Sequence, residues 1–403
     1  MNQMTPSPDS TERPSLSRRD VLKLSAMALL FAACRPRGDV PQPIQPLAGG
    51  FYFSLAIRDG GRVWAWGENR YGVLGDGART DRATPVRVPG LDGVIGVSAG
   101  GGHGMALKQD GTVWAWGANG EGQIGDGTTT DRPSPVQVSG LAGIVSISAR
   151  SACSAALRDD GTVWVWGGDY FGRLGGEARG FQPSPVQVPG LPRITAITVD
   201  MPGLALDSIG GVWDWDGTLQ VLARRLESPG SNTEMTDVWG YVPPAQVPGL
   251  PRIVAIDSGS YLGVALDDTG TVWTWGNNFF GQLGVGAPSP VGTIVPAQVV
   301  NLTNVVAISG GESHVLALVD DGSVWGWGSN SPGHLGDGTI ADRPAPVQVH
   351  GLSDIVAISA GFNHSLAVQS DGTVWAWGYN LRGQLGDGTL RERDEPVRVV
   401  GLW

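Results

Sequence analysis

The chain has 403 residues, 41% of them hydrophobic, and a formal net charge of −11. That apolar share can fill a large core, while an acidic balance without a Lys/Arg-rich window lacks the basic face that phosphate-backbone binding needs, so nucleic acid is not an expected partner. Sixty-three glycines and 28 prolines point to many turns and an all-β fold rather than to long helices.

In chain order, residues 1–38 stand apart from the rest. They read Ser17-Arg18-Arg19-Asp20-Val21-Leu22-Lys23, then an apolar run through Phe31, then Ala32-Ala33-Cys34. This resembles a twin-arginine export signal followed by a lipobox, with Val21 where Phe is usual and Phe31 where Leu is usual. The run from Val21 to Ala33 is shorter than the roughly 20 residues a helical span needs. The resemblance implies export through Arg18 and Arg19 and lipidation of Cys34, which would place the protein in the cell envelope, held to the membrane only by its lipid. Cys153 would then be the remaining thiol, so no intramolecular disulfide is expected and stability must come from packing.

From residue 39 onward the chain is repetitive. Trp-x-Trp recurs at Trp64/Trp66, Trp114/Trp116, Trp164/Trp166, Trp213/Trp215, Trp273/Trp275, Trp325/Trp327 and Trp375/Trp377, seven copies that use 14 of the 16 tryptophans. A period of about 50 residues lies in the range of propeller blades. Residues 39–403 are therefore expected to form a seven-bladed β-propeller of four-stranded antiparallel blades, a single body and a monomer.

Each period offers four short strands, clearest in the last copy: Ile355 to Ile358, Ser365 to Val368, Thr373 to Trp377 and Pro396 to Val399. In Val374-Trp375-Ala376-Trp377 both alternating sets are apolar, which requires cover on both faces. Asp110-Gly111, Asp160-Gly161, Asp321-Gly322 and Asp371-Gly372 precede Trp strands and suggest type I′ hairpins joining the second and third strands. The stretch from Trp-Gly to Pro-Val is long for a hairpin loop, whereas Gly351-Leu352-Ser353-Asp354 is tight. That contrast places the blade boundary in the long loop, with each blade running Pro-Val, Ile-Val, Leu-Ala and Trp strand. On that phase the two termini complete one blade together, closing the ring by pairing N- and C-terminal strands. The first copy begins at Ile44-Gln45-Pro46-Leu47, where the prolines make a poor strand.

The segments Gly361-Phe362-Asn363-His364-Ser365-Leu366-Ala367-Val368, Asp371-Gly372-Thr373-Val374-Trp375-Ala376-Trp377-Gly378 and Gly383-Gln384-Leu385-Gly386 resemble the regulator of chromosome condensation repeat, a likeness covering about residues 44–402. The resemblance implies the propeller fold. Its founding eukaryotic member exchanges guanine nucleotide on a nuclear GTPase and contacts chromatin, partners that an exported acidic chain would not meet. A secreted β-lactamase-inhibitor protein with a related fold binds its target through loops on one face, a use better suited to export. Fold alone does not transfer function.

Candidate chemistry is sparse. His103, His314 and His364 share one place in copies two, six and seven, but Phe53, Cys153, Pro202 and Leu262 hold it elsewhere, so the position reads as semi-buried packing rather than as a metal ring. Turns such as Gly125-Asp126-Gly127, with Asp131-Arg132 following, lack the carboxylate density of a calcium loop, and copies three and five carry Gly176 and Val285 instead of the Asp. No catalytic set, metal or cofactor is expected, and a binding platform is favoured over an enzyme. Copy four loses the Gly-Gln-Leu-Gly turn and carries about ten extra residues, a length well above ordinary connections. Aromatic pairs flank it, so Tyr170, Phe171, Trp239, Tyr241, Phe279 and Phe280 are expected to form a rim that binds a protein or surface polymer. The alternatives are an enzyme or small-ligand site at the channel mouth, and nucleotide exchange by family likeness.

Overall fold

A computed structural model describes residues 45–58, 60–169, 180–219, 223 and 242–402. They form seven four-stranded antiparallel sheets, each contiguous in sequence. The blades occupy residues 47–87, 94–137, 144–187, 194–246, 253–298, 305–348 and 355–398, numbered 1 to 7 in that order. The expected all-β, seven-bladed architecture is present.

The expected blade phase is not. In blade 7 the order is Ile355–Ala360, His364–Gln369, Val374–Gly378 and Arg393–Arg398, and the last strand pairs back onto the Trp strand with Trp375 opposite Arg398. The Pro-Val strand therefore ends a blade instead of starting one. Closure by pairing N- and C-terminal strands fails with it: blade 1 holds its own first strand, Leu47–Gly49, and blade 7 its own last. The tight link, expected to join two strands of one blade, is a buried crossover between blades. Val88 and Leu91, like Val349 and Leu352, are buried between consecutive blades, so the link crosses the core and delivers the chain to the next sheet. The long stretch, in turn, is compact. In blade 2, Asn119 Oδ1 accepts from Ile124 N at 3.0 Å, and Asp126 Oδ1 accepts from Thr128 N at 3.0 Å and its hydroxyl at 2.7 Å. A loop that satisfies its own polar groups can be long and still return to its own sheet.

The Ile-Val strand is innermost. Trp-x-Trp puts both rings on one face of each blade, where they meet the Val-x-Ala face of the preceding one: Trp166 packs with Leu107, Val113 and Ala115, and Trp377 with Leu316, Leu318 and Val324. Each Trp strand is thereby covered on both sides, as its sequence demands. The ring closes by the same packing, with Trp66 of blade 1 seated against Leu366, Val374 and Ala376 of blade 7.

The hairpins between second and third strands are present, with different turns. Gly111 has φ +78° and donates to Lys108 O at 2.9 Å, while Lys108 N donates to Thr112 O at 3.0 Å, a three-residue loop with only its glycine in the left-handed region. Asp110 has no positive φ. Its carboxylate instead accepts from Thr112 N at 3.0 Å and Thr112 Oγ1 at 2.6 Å.

Candidate functional site

Turns between first and second strands and the long loops after the Trp strands share one end of the ring. Three linked arrangements build this face. The first is a latch between consecutive blades. His103 Nε2 lies 2.8 Å from Ser154 Oγ of the next blade, and that hydroxyl donates to Gln123 O, back in the histidine's blade, at 2.8 Å. Trp166 Nε1 donates to the same carbonyl at 2.9 Å. The motif recurs from blade 6 to 7 with His314, Ser365, His334 O and Trp377, and across the closing seam with His364, Ser54, Gln384 O and Trp66. The three histidines are 0% exposed. Their structural role is as expected, but they are fully buried and hydrogen-bonded rather than semi-buried. Burial holds the imidazoles of His103 and His364 down at about 3 and that of His314 well below the usual range.

The second arrangement surrounds the axis. In equivalent places at the end of the inner strand stand Gly50, Gly100, Gly259, Gly311 and Gly361, and a side chain at Gly100, Gly311 or Gly361 would run into the His103, His314 or His364 ring within 2.4 Å. Copies three and four place Arg150 and Asp200 there. Copy three makes room by carrying Cys153 where copies one, two, six and seven carry an aromatic ring. Arg150 Nε pairs with Asp200 Oδ2 at 2.9 Å, and its Nη1 donates to Gly310 O of blade 6 at 3.3 Å, so the guanidinium reaches across the ring. Asp257 replaces a serine that elsewhere caps the neighbouring strand, as Ser98 Oγ does for Ala149 N at 2.9 Å, and it accepts from Gly310 N at 3.0 Å. Glu312 follows at the rim. Burial, with Asp200 nearby and Arg150 opposing, pushes its carboxyl up to about 7, and burial also raises Asp200 and Asp257. Three carboxylates thus share one guanidinium. Sequence pattern alone did not single out this set, although Arg150 and Asp200 announce themselves by breaking a run of glycines.

The third arrangement is the exposed pair Phe279 and Phe280, two of the six residues expected to form an aromatic rim. Phe279 and Phe280 are 57% and 44% exposed, side by side on a turn pinned by Phe280 N to Gln282 Oε1 at 3.0 Å and Leu283 N to Asn278 Oδ1 at 3.1 Å. Tyr170, Phe171, Trp239 and Tyr241, like Arg18, Arg19 and Cys34, lie outside the described residues. The Asp-containing turns owe their carboxylates to turn formation: Asp126 Oδ2 accepts from Arg132 Nε at 2.6 Å, so its oxygens have protein partners. Among the described residues no group of three or more His, Cys, Asp or Glu side chains is arranged to hold a metal ion.

Part of the chain is similar to curated proteins: the human E3 ubiquitin-protein ligase HERC2, 34% identical over 143 residues, 35% of this chain and 3% of that protein; Protein pim1 of Schizosaccharomyces pombe, 35% identical over 141 residues, 33% of this chain and 24% of that protein; and the mouse Regulator of chromosome condensation, 38% identical over 86 residues, 21% of this chain and 20% of that protein. The matches thus span less than a quarter of each relative's own length. Two solved structures share the fold. Prp20p from Saccharomyces cerevisiae superposes with TM-score 0.72 at 24% identity over 87% of this chain and 88% of that one, and yeast RCC1 (Prp20) bound to Kap60 with TM-score 0.73 at 22% identity over 91% and 89%. A model of the regulator of chromosome condensation (RCC1) repeat matches residues 60–107. A model of the RCC1-like domain matches residues 89–402, most of the ring, and the chain therefore belongs to the RCC1-like domain family.

Proposed function

We propose that this chain is an exported, lipid-anchored propeller that holds a protein partner on the loop face around blade 5. The observation that carries this reading is the adjacent pair Phe279 and Phe280, exposed on a turn whose backbone is fixed by Asn278 and Gln282. Two phenyl rings on a pre-ordered turn offer apolar area at little entropic cost on binding. The equivalent positions in copies two, six and seven are Gly120-Glu121, Ser331-Pro332 and Leu381-Arg382, so blade formation does not demand the pair. That Prp20p is described with binding to Gsp1p and histones, and that RCC1 (Prp20) is seen bound to Kap60, agrees with a binding role for the fold. The acidic balance and the Arg18-Arg19…Cys34 segment favour an envelope partner over a nuclear one.

The test is site-specific photo-crosslinking in the native host, with the probe at Phe280 and, as control, at Ile209, which is 78% exposed on a turn at the opposite end of the ring. One discrete adduct at Phe280 and none at Ile209 supports the reading. Equal labelling at both, or none at Phe280, rejects it. Export is tested separately: Arg18→Lys with Arg19→Lys should leave the precursor inside the cell, and Cys34→Ala should allow export but abolish lipid labelling.

A further inference from the structure

Where blade 7 meets blade 1, four aromatic rings gather at the axial end of the loop face. Phe51 and Phe362 have centroids 4.3 Å apart at 47°, Tyr52 lies 6.4 Å from Phe362, and Tyr379 lies 5.7 Å from Tyr52. All four are half-buried, neither core nor fully exposed. Phe362 N donates to Gly50 O at 3.0 Å and Tyr379 N to Asn363 O at 2.8 Å, so the backbone carrying the rings is fixed.

The propeller does not require these rings. At the positions of Phe51-Tyr52 other copies have Gly101-Gly102, Ser151-Ala152 and Glu312-Ser313, and at the position of Tyr379 they have Ala118, Gly168 and Ser329. The other seams close without them. The closing seam already has its latch in His364, Ser54 and Gln384 O, so the rings are additional to what holds the ring shut.

Carboxylates adjoin the rings. Glu312 N donates to Phe362 O at 3.4 Å and Glu68 N to Tyr52 O at 2.8 Å, and the Tyr52 hydroxyl is raised by burial, then by Tyr379, Glu68 and Glu312. The charged groups facing these carboxylates are Arg382, half-exposed at 4.0 Å from Glu68 and 3.6 Å from Asp81, Arg70, which also acts on Glu68, and the Arg150 and Asp200 pair, which acts on Glu312 with opposite signs. Half-buried ring faces attract cations through their quadrupoles, and neighbouring carboxylates add to that attraction.

We propose that Phe51, Tyr52, Phe362 and Tyr379, with Glu312 and Glu68, form a binding site for an alkylammonium group. The rings supply a surface for the methyl or methylene shell of the ion and the carboxylates set its sign. A free quaternary amine and the modified lysine side chain of a protein present the same chemistry.

The test titrates the full chain with tetramethylammonium, with a peptide bearing one Nε-trimethyl-lysine, and with tert-butyl alcohol as neutral control, followed by calorimetry and by ligand-observed NMR. Tetramethylammonium should bind saturably, at least tenfold more tightly than the alcohol. Affinity should rise between pH 6 and pH 8 as Glu312 ionises, and Glu312→Gln should flatten that rise. Phe362→Leu should weaken binding about tenfold with unchanged melting temperature, while Phe280→Ala, at the proposed partner surface, should leave it unaltered. A peptide that outcompetes the free ion identifies a protein source, and one that binds no better identifies a small amine; either supports the site. Equal affinity for ion and alcohol, no saturable binding of the ion, or binding unaffected by the Phe362→Leu, Glu312→Gln pair overturns it. None of these outcomes depends on whether Phe280 cross-links to a partner.

Discussion

At the scale of single residues, the axial cluster shows how a repeat admits function by exchanging two positions together. A ring at the place of His103 forbids a side chain at Gly100; Cys153 lifts that restriction in copy three and Arg150 enters. The ion pair with Asp200 is largely buried, the side chains being 15% and 6% exposed. Removing one member of a buried pair leaves an unpaired charge, at about 3–5 kcal/mol, whereas removing both costs much less. Arg150→Met should therefore lower the stability measured by urea unfolding at pH 8 by that amount, and adding Asp200→Asn should recover most of it. Strictly additive losses would show that the pair does not act as one unit. The packing role of the histidines was legible because Phe53 and Leu262 share their position. Their serine partners were not, since Ser154 lies 51 residues from His103 and belongs to the next copy.

At the scale of strands and blades, seven Trp strands and four strands per copy could be read directly, because few folds besides a propeller combine a period near 50 with two-faced apolar alternation. Phase could not be read from loop length. The short Gly-Leu link hides buried Leu91 and Leu352 that make it a core crossover, and the long loop is shortened by bonds from Asn119 and Asp126 that no alternation pattern reveals. The blades also differ in how they are joined. Blade 4 lacks the Gly-Gln-Leu-Gly turn whose carbonyl receives the next blade's tryptophan, and Trp275 Nε1 of blade 5 is buried without a hydrogen-bond partner among the described residues. The closing seam has the complete latch. Local opening follows such differences in buried bonding. Hydrogen–deuterium exchange should thus be faster in Leu262–Asp267 of blade 5 than in Phe53–Arg58 of blade 1, with Cys153–Arg158 of blade 3 matching blade 1. Faster exchange in blade 1 would mean that the meeting of the chain's two ends is the weak point.

For the whole molecule, buried titratable groups of opposite sign fix the response to acid. Burial holds His103 and His364 at about 3 and His334 at about 4, and His314, whose ring lies 4.3 Å from that of His334 at a tilt of 37°, well below its ordinary value. The unfolded chain takes protons on these imidazoles below about 6.5 while the folded one does not, so their contribution is intact above that pH and is lost as pH falls toward 4. Each costs about 1.4 kcal/mol per pH unit once the unfolded imidazole is fully protonated. Glu312 acts in the other direction. Its folded value of about 7 exceeds the ordinary 4.5, so the folded chain holds a proton the unfolded one releases, and stability from this group grows as pH falls from 7 to 4.5. Asp200, Asp257 and Asp214, which burial also raises, act with Glu312 and against the four imidazoles, so each group's part in the slope of unfolding free energy between pH 6 and pH 4 is read as the difference between a variant and the parent. His103→Phe, which installs the residue copy one already uses, should reduce that slope by about 1.4 kcal/mol per pH unit. Glu312→Gln should raise stability at pH 8 and remove this group's gain on acidification, because the opposing proton is gone. Urea midpoints at half-unit pH intervals measure both, and parallel curves for either variant and the parent would show that the group does not titrate on unfolding.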